Sequence, residues 1–199
     1  GPATTMSQNT IPVSLKRFDF ISNNSILKKD NFQFDLSSIA KGYAVDSIAE
    51  LLVDSNRNNF LIDIGGEIIV NGSKHGAPWI IGIQNPLISQ NQSITEILRT
   101  DFLAVATSGE YRKKKTNDEG DLISHSFLPI NERSILDQSY SVTVASEESS
   151  MNADAWATAL NVLGPEKGIN LANDHAVAVM YIMAKDNIKI KSKSWNYSD

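Results

Sequence analysis

Asp35-Leu36-Ser37-Ser38-Ile39-Ala40-Lys41-Gly42-Tyr43-Ala44-Val45-Asp46 is the stretch on which the reading of this sequence turns. Apolar or small residues at 40, 44, 48, 51 and 52 predict one buried face of a helix running on to residue 53. The serine pair at 37 and 38 stands where an N-cap belongs. Lys41 then falls in the first turn, where the helix macrodipole is positive and a cation is unfavourable. Either its long stem carries the ammonium out into water, or an anion sits there, gripped by both lysine and helix N-terminus.

On either side, strands dominate. Residues 13–21 and 25–28 read as short strands around Ser22-Asn23-Asn24. Residues 60–64 and 68–70 are β-rich runs separated by Gly65-Gly66, which is read either as a bulge or as a place where backbone approaches a bulky ligand. Asn71-Gly72 predicts a tight hairpin turn, with residues 79–84 returning as a strand. Residues 103–107, broken by Ser108-Gly109, and 141–145 add two more strands. A helix is expected over 152–163, stopping at Gly164, and Pro165 suits the first position of a short helix to residue 172. Residues 176–183 and 188–191 close the chain as a hairpin about Asp186-Asn187. Hairpin-joined strands with two main helices interleaved predict an α+β fold with a largely antiparallel sheet.

Composition narrows the function classes. The 199 residues are 41% hydrophobic, enough for one globular domain, and show no repeat or low-complexity linker. Residues 1–11 are polar and resemble a tag scar with a disordered lead, leaving 12–199 as the domain. A net charge of −5 gives no electrostatic footprint for nucleic acid or an anionic membrane. The basic run Arg112-Lys113-Lys114-Lys115 meets Asp118, Glu119 and Asp121 at once, as a solvated hairpin tip would. With no cysteine, disulfides, thiolate metal sites and a cysteine nucleophile are excluded. No apolar run approaches the roughly 18 residues of a membrane span.

A few residues carry chemistry. Asp154 and Thr158 stand four apart on a predicted helix, so their oxygens share a face. They serve either as a dipole partner and a hydroxyl bonded back to a carbonyl, or as a hard-cation site of the kind magnesium uses on a diphosphate. His75 and His175 sit beside turns and read as surface residues, and three widely spaced histidines do not suit zinc. Walker A, G-x-G-x-x-G and G-x-S-x-G patterns are absent from the sequence.

The order of these signals resembles that of the FAD:protein FMN transferases, once called thiamine biosynthesis lipoproteins, with an ApbE-like or T-fold-like architecture. The stretch 35–46 looks like that family's hallmark. Ile62-Asp63-Ile64-Gly65-Gly66-Glu67, Thr107-Ser108-Gly109-Glu110-Tyr111, Ser124-His125, Ser141-Val142-Thr143-Val144 and Ala153-Asp154-Ala155-Trp156-Ala157-Thr158 follow in family order. The resemblance implies a magnesium-dependent transferase that splits FAD at its diphosphate. It would attach FMN to a threonine or serine of a target flavoprotein and release AMP. It further implies that Asp35, Lys41 and Phe127 contact FAD, with Gly65, Gly66, Ser108 and Gly109 alongside. Ser38, through its main-chain oxygen, Asp154 and Thr158 would hold magnesium, and His125 would handle a proton or orient phosphate. Full-length relatives imply a periplasmic or membrane-anchored setting. Closing strands exchanged between copies would make a homodimer.

Two departures stand out. Family members carry a long segment ahead of the hallmark, with parts of the adenine and ribose pocket, that this sequence does not hold. Where they have His-Ile-Ile-Asp-Pro-x-Thr-Gly, this sequence reads His125-Ser126-Phe127-Leu128-Pro129-Ile130-Asn131-Glu132, and Ala157 replaces an acidic neighbour of some relatives. These departures keep a second reading open, that of a non-catalytic flavin- or partner-binding module.

Overall fold

The computed structural model describes residues 15–85, 94–109, 115–116, 122–123, 140–184 and 186–197. After a 3-10 turn at Leu15–Arg17 come β1 (Phe18–Ser22) and β2 (Ser25–Lys28), an antiparallel hairpin. Helix α1 (Ala40–Asp54) leads into β3 (Phe60–Ile64), β4 (Glu67–Asn71), β5 (Trp79–Gln84), β6 (Ile94–Thr100) and β7 (Phe102–Ser108). The short pair β8 (Lys115–Thr116) and β9 (Leu122–Ile123) is antiparallel, while Arg112, Lys113, Lys114 and the acidic Asp118, Glu119 and Asp121 of the expected hairpin tip lie outside the described residues. Then follow β10 (Tyr140–Ser146), α2 (Ser150–Asp174), β11 (Ala178–Met183) and β12 (Lys189–Lys191). The expected lead at residues 1–11 lies outside the described residues.

The framework is a six-stranded sheet in the order β12-β11-β10-β7-β4-β3, antiparallel throughout. Alternation along β7 sends Leu103 and Val105 to one face and Ala104 and Ala106 to the other. The first face packs against Ile81, Ile83 and Leu98 of the β5–β6 hairpin. The second carries both helices: Val45 and Ala49 of α1 meet Phe60 and Ile69, while Ala153, Ala157 and Leu160 of α2 meet Val142 and Val144. The α+β architecture with a largely antiparallel sheet and two main helices is therefore observed. Gly164 breaks α2 with φ 78° and ψ 170°, so it is two helices end to end, the break falling where the Gly-Pro pair predicts it.

Four local expectations are corrected. Helix α1 buries Gly42, Val45 and Ala49, while Ile48 and Leu51 of the expected stripe are exposed. This helix is apolar on two sides, and close contact at Gly42 selects the face: a Cβ there would lie 2.5 Å from Met151 Cα of α2. The serine pair does not cap it, since the N-cap is Ile39 and no side chain of its own serves. Gly65-Gly66 is a two-residue hairpin turn rather than a bulge, both glycines holding positive φ (64° and 99°) as such turns demand. Asn71-Gly72 does not pair β4 with β5. There the chain is drawn against Asn58 and Asn59 by side-chain hydrogen bonds and leaves the sheet, and β5 pairs with β6 across its face.

Candidate functional site

The N-termini of the two helices meet. Asp46 of α1 accepts the Ser150 and Met151 amides at 2.7 and 2.8 Å, capping α2 from outside, and Ser149 adds its own cap by accepting the Asn152 amide. In return Asp154 of α2 accepts the Gly42 amide of α1 at 3.0 Å through Oδ2. Each helix thus supplies a carboxylate to the other's first turn, where the dipole favours negative charge.

An open cleft of about 650 Å³ begins at this junction. Ser37 and Ser38 approach from the turn before α1, Lys41 from its first turn, and Asp154, Thr158 and Asn161 from α2. Asp63, Gly65, Gly66 and Glu67 come from the β3–β4 turn, Gly82 to Gln84 from β5, and Thr107, Ser108 and Gly109 from the end of β7. The Gly66 amide bonds Asp63 Oδ1 at 2.9 Å, which fixes the turn at the rim. Among the described residues, no atom other than those of its chain neighbours lies within 4 Å of a Cβ built on Gly66.

Charge is concentrated on one wall. Lys41 Nζ pairs with Glu67 Oε1 and lies 3.9 Å from Asp154 Oδ1. Both carboxylates are almost fully enclosed, at 2% exposure each, whereas the lysine side chain is half-exposed towards the cleft. Burial raises the Glu67 carboxyl above its ordinary range against the opposing pull of Lys41. Burial likewise raises Asp154, against the Gly42 amide and Lys41.

Of the residues singled out from sequence, Ser38, Lys41, Gly65, Gly66, Ser108, Gly109, Asp154 and Thr158 come together in this cleft. Asp35 lies just before α1 outside its lining, where its carboxylate accepts the Ser37 amide at 2.8 Å and the Ser37 hydroxyl. Those bonds hold its pKa below the ordinary value. His125 and Phe127 fall outside the described residues. Glu67 is the residue that sequence reading passed over. The signal was available: a glutamate heads Ile68-Ile69-Val70 directly after the glycine turn, where a buried strand has no use for a charge.

Fold and cleft together define a class, an α+β domain whose antiparallel sheet and paired helix N-termini frame one polar cleft. The chain belongs to the ApbE family, whose model matches residues 3–182. It is 40% identical over 154 residues to the FAD:protein FMN transferase of Vibrio cholerae, covering 77% of this chain and 45% of that protein. With the enzyme of that name from Escherichia coli K12 it shares 33% over 174 residues, covering 86% of this chain and 48% of that one. Among solved structures, flavin transferase ApbE from Vibrio cholerae matches with a TM-score of 0.79 at 30% identity, covering 100% of this chain and 65% of that one. The apo flavinyl transferase ApbE of Pseudomonas stutzeri matches at 0.75 with 31% identity, over 91% of this chain and 58% of that one. The chain spans about half the length of the curated relatives it matches.

Proposed function

We propose that this chain carries the flavin-transfer site of an FAD:protein FMN transferase. In that reaction a threonine or serine hydroxyl oxygen of a target flavoprotein attacks the FMN-side phosphorus of FAD. A phosphoester bond forms, the bridging P–O bond breaks, AMP leaves with the electron pair and the hydroxyl loses its proton. One observation carries the reading: an ammonium, an enclosed carboxylate and a hydroxyl from Lys41, Asp154 and Thr158 line one cleft at a helix N-terminus.

The division of labour follows from charge. A diphosphate brings several negative oxygens into a partly dry site, and phosphoryl transfer depends on positioning and charge neutralisation more than on covalent chemistry. Lys41 supplies one fixed positive charge, and the first turn of α1 adds its dipole. Asp154, Thr158 and the main-chain oxygen of Ser38 form an all-oxygen donor set suited to magnesium. Gly42 engages only Oδ2 of the Asp154 carboxylate, and Oδ1 points towards Lys41 in the cleft wall. Bound there, magnesium would neutralise diphosphate charge. Gly65 and Gly66, bare of side chains at the rim, suit close approach of a bulky ligand. His125 is assigned the proton-handling or phosphate-orienting role, and Phe127 and Asp35 flavin contacts, on the strength of their family positions.

Titration with FAD by calorimetry, with and without magnesium, followed by assay for AMP, tests the proposal. Magnesium-dependent binding with AMP release supports it. Asp154→Asn, which keeps an acceptor for the Gly42 amide, is expected to abolish the metal-dependent step with the fold intact. Binding without turnover would favour the non-catalytic module, and absence of binding would defeat the reading.

A further inference from the structure

Glu67 has an awkward position for a residue that serves stability alone. It opens β4, pairs with Ile64 across the glycine turn, and is 2% exposed. Its Oε1 holds Lys41, while Oε2 is enclosed with no hydrogen-bond partner among the described residues. An enclosed carboxylate with half its oxygens unsatisfied is costly, and buried ion pairs often stabilise no better than apolar residues of similar volume. What the pair does provide is a direction for the lysine.

That direction matters because Lys41 has two anions within reach. Asp154 Oδ1 is 3.9 Å from Nζ, so an ammonium released from Glu67 would close on it. The lysine would then cover the carboxylate oxygen offered to the cation, and one positive charge would displace another from the diphosphate site. We propose that Glu67 is a positioning residue of the flavin-transfer site, tethering Lys41 beside Asp154 so that ammonium and divalent cation are held side by side. The inference rests on the flavin-transfer reading and concerns how its two positive charges are kept apart. Glu67 acts entirely through Lys41, and the turn of Gly65 and Gly66 sets its reach by fixing the first residue of β4.

A double-mutant cycle on the full chain separates this role from a structural one. Mn²⁺ serves as the probe, titrated by electron paramagnetic resonance with and without FAD. Glu67→Gln is expected to weaken Mn²⁺ binding roughly 10-fold although Glu67 is not a ligand. In the Lys41→Met background the same change is expected to have no effect, because there is no ammonium left to close on Asp154. Thermal unfolding of the Gln variant should match or exceed the parent, since a buried charge is removed. Should that variant fail to fold, Glu67→Met serves for the same cycle. Equal weakening in both backgrounds, or none in either, overturns the positioning role while FAD binding by the parent keeps the flavin-transfer reading standing. A parent chain that binds neither FAD nor Mn²⁺ removes that reading and the positioning role with it.

Discussion

The N-termini of α1 and α2 lie side by side yet are built to opposite specifications. Helix α2 begins conventionally: Ser149 caps the Asn152 amide, Ser146 accepts the Glu148 and Ser149 amides, and Asp46 takes two more. Helix α1 begins with Ile39, which caps nothing with its side chain, carries a lysine in its first turn, and borrows a carboxylate from across the interface. One terminus is closed off, by its own serines and by Asp46 of the other helix. The other is left facing the cleft with a lysine in its first turn, and this asymmetry is visible without any resemblance.

The strongest way to break the comparison is Gly42→Ala. The added Cβ would come within 2.5 Å of both Met151 Cα and Ser150 O, which are backbone atoms that cannot turn aside. The helices must separate, at about 3 kcal/mol for overpacking, against ~1 kcal/mol that alanine gains in helix propensity. Denaturant unfolding should show a net loss, with both mutual caps weakened together. Next comes Asp46→Ala, which strips two charge-assisted bonds from α2 and should cost about 2 kcal/mol by the same measurement. Ser149→Ala removes one neutral cap and should cost about 1 kcal/mol. Neither of these two should disturb FAD affinity as much as a change at Lys41. Equal effects on affinity from both termini would mean that the two helix starts do not differ in this way.

The smallest effect is one of pH. Burial holds the Glu67 and Asp154 carboxyls above their ordinary values of about 4, so in the window above that value the folded protein keeps protons that the unfolded chain has lost. Stability contributed by this site therefore falls as pH rises through the window. Glu67→Gln and Asp154→Asn should flatten the decline in melting temperature as pH rises above the ordinary carboxylate range, whereas Ser149→Ala should keep the parent slope. Parallel slopes in all variants would mean that these carboxyls titrate alike in the folded and unfolded chain.

Much of this was legible in the residues. The Gly164-Pro165 break, the ends of β3 and the hairpin at Asp186-Asn187 follow from local backbone chemistry, and the structure has them where expected. Long-range causes were not legible. The buried face of α1 is chosen by a contact with Met151, more than a hundred residues away, which no helical periodicity contains. Strand β6 was missed because Glu96 occupies a core-facing position and breaks the alternation of Ile94-Thr95-Glu96-Ile97-Leu98. It is tolerated there because Lys189 and Lys191 of β12 neutralise it. Of the residues lining the cleft, the sequence pointed to Lys41, Asp154 and Thr158 but not to Glu67, whose partner lies on another element and whose burial depends on the whole cleft wall.

The exchange of carboxylates between α1 and α2 has a dynamic consequence. Each first turn is held by a carboxylate that lies beyond the first turn of the other helix, so the two termini should open as one event. The amides of Gly42, Ser150 and Met151 should then exchange with solvent deuterium at a common rate, slower than helix ends usually show. Substitution at Asp46 should speed exchange at Gly42 on the far helix.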